Sequence, residues 1–169
     1  MALFAGNIDD LTSLYTKQLR FLLSTEEQII DALPTMIEQA SDQQIKAALQ
    51  SHLQETEIHA ERVEDILSDL SGDVDSKKCA ATAALITAGM DMVKAANDSY
   101  VRDAAIIAAA QKVEHFEIAS YGAARSWAQV LGHTEQAAIL NQTLQEEGHA
   151  DHLLTTISNR TNPEASRAA

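Results

Sequence analysis

The sequence predicts an all-α protein, a four-helix bundle with one long crossover that holds a short fifth helix. Three observations carry this. Ala, Leu, Glu and Gln, all helix formers, dominate a chain with only six Gly and two Pro. Apolar residues recur at three- and four-residue steps through most of the chain, the spacing of one helix face. Turn signals are few, and they split the chain into two long helical pairs.

The first helix is expected from about Leu11 to Ala40, with Asp9 or Asp10 as N-cap. Pro34 lies inside it and predicts a kink or change of axis near Asp31. The second runs from about Asp42 to Leu70 and stops at the turn Ser71-Gly72-Asp73. A shorter helix covers about Lys78 to Ala96. The third long helix follows the cap cluster Asn97-Asp98-Ser99 and ends near Leu131-Gly132. The fourth spans about Thr134 to Ser158, and the tail from Asn159, with Pro163 and small polar residues, is expected to fray. Short links within each pair make antiparallel hairpins, and the long link between pairs is the crossover.

At 169 residues the chain is expected to be one domain over 1–169, with an ordered bundle over about 9–159 and a flexible tail over 160–169. A net charge of −13 argues against nucleic acid and against anionic membrane surfaces as partners. The single Cys79 excludes an intramolecular disulfide or a Cys-pair metal site. No run approaches the roughly 18 apolar residues of a membrane span. The start MALFAGNIDD lacks a basic segment followed by a long apolar one, so a cytoplasmic setting is the expectation.

The informative feature is where the acids fall. Glu26 sits inside the apolar stripe of the first helix, between Leu22 and Ile29. The second helix carries His52, Glu55 and His59 at the centre of a stripe that runs from Ile45 to Ile66. The third is apolar nearly all round but is interrupted by Glu114 and Glu117. In the fourth, Glu147 and Asp151 fall between Leu144 and Leu154. A buried carboxylate must be neutralised, paired or bound to metal. Bases near these positions are scarce, Arg62 and Lys112 being nearest in sequence. Several carboxylates at one place repel, and two divalent ions would cancel about four negative charges.

That is the logic of di-iron and di-manganese carboxylate bundles, where two helices give a Glu each and two give Glu-x-x-His. The fourth helix holds that spacing in Glu146-Glu147-Gly148-His149. The second offers instead Glu55-x-x-x-His59, one full turn apart, and the matching pair in the fourth is Glu147-x-x-x-Asp151. Two registers are therefore open in the fourth helix: Glu146 with His149, or Glu147 with Asp151. Carboxylate and imidazole donors without thiolate suit Fe or Mn.

The segments TEEQI around Glu26, HLQET ending at Thr56, VRDAAIIAAAQKVEHFEIASYG, and LQEE before Asp151 give the chain a resemblance over about Leu11 to Ser158. It resembles the YciE/YciF-type ferritin-like stress proteins, the domain of unknown function numbered 892. The resemblance implies a ferritin-like bundle, a bacterial cytoplasmic setting, a link to stress and a homodimer. It implies a di-metal site carried here by Glu26, Glu55, Glu114 and Glu147, with His59 and Asp151 close by. The chain departs from the rubrerythrin pattern in having no second Glu-x-x-His and no CxxC pair, so no rubredoxin-type module is expected.

Each residue also has a plainer reading. Glu117 reads first as a supporting or surface acid, with Glu146 and His149 as further lesser candidates. His52 and His59 read singly as polar core residues, and His115, His133 and His152 as surface. Tyr15 and Tyr121 read as packed aromatics whose hydroxyls bond buried acids, with a redox role open for Tyr121. Trp127 and the methionines read as core and Cys79 as a structural thiol. The expected function is redox chemistry at two Fe or Mn ions, either ferrous oxidation or peroxide removal, with O2 or peroxide as partner. This would make the chain an oxidase- or peroxidase-type oxidoreductase. The alternative is a non-enzymatic stress protein acting through dimerisation or partner binding.

Overall fold

The computed structural model describes residues 8–167, and most of the N-terminal stretch read for a targeting signal lies outside the described residues, as do the last two of the tail. Within them are five helices and no strand: α1 Leu11–Gln39, α2 Gln43–Ser71, α3 Ala80–Ala95, α4 Ser99–Val130 and α5 Thr134–Ala165. Among the described residues no helix is long and apolar enough to cross a membrane.

The caps follow the sequence signals. Asp10 accepts from the Ser13 N–H at 2.7 Å, Asp42 from those of Gln44 and Ile45, and Asp98 from those of Tyr100 and Val101. Gly72 ends α2 at φ +66, a left-handed position that glycine adopts without steric cost. α1 stays helical through Pro34.

α5 continues past Ser158, the end expected from sequence, to Ala165, so residues 159–165 of the stretch expected to fray are helical. The physical reason is tertiary. Arg160 donates to Asp42 Oδ2 at 2.6 Å and to Gln44 Oε1 at 3.0 Å, which ties this turn to the start of α2. Thr161 beside it is buried.

α1 packs on α2, α4 on α5, α1 on α4 and α2 on α5. Residues 72–98 join α2 to α4 and carry α3, which rests on α4 and α1. A cluster of Thr25 and Thr82 hydroxyls at 2.8 Å links α1 to α3. Gly89 lets α3 settle on α4, since a Cβ there would lie 2.9 Å from the Ala109 Cβ.

The core is in two halves. One holds Tyr15, Leu19, Leu22, Leu23, Val63, Ile66, Leu67, Tyr121 and Leu140; the other holds Ile29, Leu33, Ile45, Leu49, Ile106, Leu154 and Ile157. Burying a large apolar side chain contributes roughly 1.5–3 kcal/mol, so these halves supply the driving force for association. Along α1, α2, α4 and α5, the buried residues between the two halves are polar: Glu26, then His52, Thr56 and His59, then Glu114 and Glu117, then Glu147, with the small Ala150 beside it. The fold thus places one polar layer at mid-height between two apolar ones.

Candidate metal centre

Glu26, His59, Glu117 and Glu147 are at most 1% exposed, Glu114 2% and His52 6%. Their donor atoms fall into two sets. One atom from each of His52, Glu114, Glu117 and Glu147 lies within 4.8 Å of the others, and so does one from each of Glu26, His59 and Glu147. Glu147 of α5 belongs to both sets.

These atoms have few partners of their own. Among the described residues, every unpartnered buried side-chain nitrogen or oxygen except Arg125 Nε belongs to this layer. Both oxygens of Glu117 and of Glu147, Oε2 of Glu26 and of Glu114, both His52 nitrogens and His59 Nδ1 are in that state. A buried polar atom left unpaired costs about 1–3 kcal/mol, more when charged, so such a concentration is not tolerated without a compensating ligand or protons. His59 Nδ1 lies 2.8 Å from Glu147 Oε1, and His52 Nε2 lies 3.2 Å from Glu114 Oε1. Neither pair has the alignment of a hydrogen bond. Close donor atoms that do not point at one another fit a third centre between them.

Where the layer does form hydrogen bonds, they hold it from behind. The Tyr121 hydroxyl donates to Glu26 Oε1. His59 Nε2 meets Glu146 Oε2 at 2.9 Å, and Glu146 also accepts from Arg62 at 2.5 Å and Gln142 at 2.9 Å. With a cation on Nδ1, Nε2 would carry the ring proton and donate it to Glu146, the arrangement that orients metal-ligating histidines.

The electrostatics follow from burial. Burial first, and then the charge of Glu147, push the Glu26 carboxyl up to about 8 and those of Glu114 and Glu117 well above the usual range. Burial pulls His59 down, but Glu147, Glu26 and Glu146 outweigh it and hold the imidazole at about 8. Burial and the neighbouring Glu26 push the Tyr121 phenol well up, so its hydroxyl keeps its proton. Glu146, partly exposed, is raised by burial but held down at about 2 by Arg62, Gln142 and His59. Without a cation, the layer can relieve its repulsion by holding protons. Protonated, Glu117 can share one with Glu26.

Of the residues singled out from the sequence, the structure brings together Glu26, His59, Glu114 and Glu147. Glu117, a lesser candidate from the sequence, joins them, and so does His52, which the sequence reading left as a polar core residue. Glu55 is not in either set: its side chain is 42% exposed and reaches only to 3.9 Å from His52 Nδ1. At 100° per residue Glu55 sits about 60° from His52 around α2, just off the buried stripe. Asp151 is half-buried and accepts from Gln111 Nε2 at 2.9 Å, outside both sets. Glu146 stands behind His59 rather than in the layer, and His149 is exposed. The signal for His52 was present in the buried series His52, Thr56, His59, Val63, which has helix-face spacing. Tyr15 bonds Gln136 Oε1 at 3.1 Å rather than an acid, a correction to the expectation for that hydroxyl. Its ring stacks on His133, which is therefore half-buried and not a free surface residue.

The family model described as Domain of unknown function (DUF892) matches residues 10–166. Protein YciF of Escherichia coli (strain K12) is 34% identical over 165 residues, which is 96% of this chain and 99% of that one. The crystal structure of that E. coli stress protein aligns with a TM-score of 0.88 at 33% identity, covering 92% of this chain and 99% of that one. YcfI from Rhodopseudomonas palustris aligns with a TM-score of 0.87 at 38% identity, over 90% of this chain and 98% of that one. A Xanthomonas campestris protein at 21% identity and a TM-score of 0.72, over 93% of this chain and 99% of that one, shares the fold.

Proposed function

The chain belongs to the DUF892 family, and from that premise we propose that it is a ferritin-like di-metal carboxylate protein working in a stress response. In this reading α1, α2, α4 and α5 are the four-helix bundle and residues 72–98 the crossover. His52, Glu114, Glu117 and Glu147 hold one ion, and Glu26, His59 and Glu147 hold the other. The single observation that carries the reading is the concentration of unpartnered buried oxygens and imidazole nitrogens in one layer. Their donor set, all carboxylate and imidazole, suits iron or manganese. Either metal, when bound, supplies electrons for chemistry with dioxygen or peroxide, so ferrous oxidation or peroxide removal is the reaction class.

The chain's own groups have defined parts. Glu147 is shared between the two sets and fixes their separation. Tyr121 holds Glu26 through its hydroxyl. Glu146, itself clamped by Arg62, sets the tautomer and angle of His59. The two apolar halves of the core keep bulk water from the layer, which strengthens every charge interaction in it. A cytoplasmic homodimer is the setting this reading adopts.

A second reading has its own support. The layer can hold protons in place of cations, and the Rhodopseudomonas palustris relative is described as a candidate structural protein. Here the chain would act in stress through dimerisation or partner binding, without turnover. Metal analysis after purification without chelator, followed by anaerobic ferrous titration, separates the two. Roughly two Fe or Mn per chain is the expected result, on the basis of the charge to be cancelled. Glu114→Ala should abolish binding and leave the helical signal intact. No metal in the parent protein, or full binding by the variant, would overturn the proposal.

A further inference from the structure

Two cavities reach the polar layer at the same side chains, His52 and Glu114. They differ in character. The one between α2, α4 and α5 is of mixed character, with Ser51, Glu55 and His149 in its lining beside Leu49 and Leu154. The other lies between α1, α2, α3 and α4, and apart from His52 and Glu114 its walls are apolar, among them Ile29, Leu33, Leu85, Ile86 and Ala109. Its rim, Ala32, Leu85 and Ile86, is half-buried. The roof depends on Gly89, whose missing side chain lets α3 close on Ala109.

The volume of this chamber is about 40 Å³. One water needs roughly 10–15 Å³ and two to four polar partners. The space therefore admits a diatomic molecule and is too small for an organic substrate, and its apolar walls offer water almost no partners. Hydrogen peroxide has two hydroxyls to desolvate and finds no partner along these walls except at His52 and Glu114. Dioxygen has no hydrogen bonds to lose. We propose that this chamber is a dioxygen-binding site that opens onto the His52–Glu114 side of the layer. The inference rests on the di-metal reading and narrows it, since it selects dioxygen over peroxide as the co-substrate.

Xenon is the probe for the chamber, because it reports an apolar cavity without any metal. Crystals of the metal-free protein under xenon pressure should show one xenon beside Leu33, Leu85 and Ile86. Ala32→Leu, at the rim and away from the layer, should remove that xenon and leave the melting temperature near that of the parent. In the iron-loaded protein the same variant should slow oxidation by dioxygen about tenfold (two ferrous ions and two protons per dioxygen reduced to peroxide). Oxidation by added hydrogen peroxide, and the iron bound at saturation, should be unchanged. Absence of xenon from the chamber, or equal slowing of both oxidants, overturns the assignment while metal binding stands. A parent protein that binds no iron sinks the di-metal reading, and the dioxygen assignment with it.

Discussion

Glu117→Gln keeps the shape of the side chain and removes one carboxylate from the most crowded part of the layer. Both Glu117 oxygens are buried and unpartnered, and the residue is 0% exposed. Burial, then the charges of Glu147, Glu26 and Glu114, raise its pKa well above the usual carboxyl value. A group whose folded pKa is raised contributes stability that is fully present below the unfolded pKa and is lost as pH rises toward the folded one. The metal-free parent should therefore lose stability as pH rises from about 4.5 through 8, the range spanned by the ordinary and shifted values of Glu26. Gln does not titrate, so its advantage should widen over the same range. Relief of an unsatisfied buried acid is on the order of 1–3 kcal/mol. For a chain of this size each kcal/mol moves the melting temperature by roughly 2–4 °C. Metal-free Glu117→Gln should thus melt roughly 2–12 °C above the parent at pH 8 and close to it at pH 5. Manganese affinity should fall by at least about 10- to 100-fold, the loss that even supporting residues cause. Calorimetric melting at the two pH values, with manganese titration alongside, reads all three quantities. A variant that melts below the parent at both pH values and binds manganese as well would show that protein groups already satisfy Glu117, and the argument from unpartnered atoms would fail.

Other consequences concern the supports. Asp103 accepts from the Ser41 and Asp42 N–H groups at 2.7 and 2.9 Å, so Asp103→Ala should cost about 0.5–2 kcal/mol in urea unfolding. Gly89→Ala should cost about 1–3 kcal/mol from the clash with Ala109, and Ala109→Gly in the same chain should return much of it, which a double-mutant cycle would reveal. Arg62→Gln removes a strong donor to Glu146. Glu146 has a depressed folded pKa, so its contribution is present above the usual carboxyl value and lost as pH falls toward about 2. In the variant that acid-side loss should begin at higher pH, and carboxyl-resonance titration would show the Glu146 midpoint moved up.

Much of the fold is written in local chemistry. The cap aspartates, the glycine after α2 and the three- and four-residue apolar spacing locate all five helices to within a few residues, except at the end of α5. That end depends on Arg160 reaching Asp42 and Gln44, more than a hundred positions away along the chain, and no local signal encodes it. The same division runs through the candidate site. That an acid interrupts the apolar face at mid-height in α1, α4 and α5 is legible from spacing alone, and Glu26, Glu114 and Glu147 follow from it.

Choosing among neighbours on one helix is a different matter. Residues three or four apart differ by only about 40–60° around the axis, and the side chains that settle the choice belong to other helices. Gln111 of α4 draws Asp151 out of the layer. Arg62 of α2 holds Glu146 behind His59. His52 turns inward beside Glu114 while Glu55, three residues on, reaches solvent. The sequence by itself therefore determined a helical chain with a polar band across its middle. Only the packed structure decided which donors face that band, because a helix sets the direction of a side chain and its neighbours set its partner.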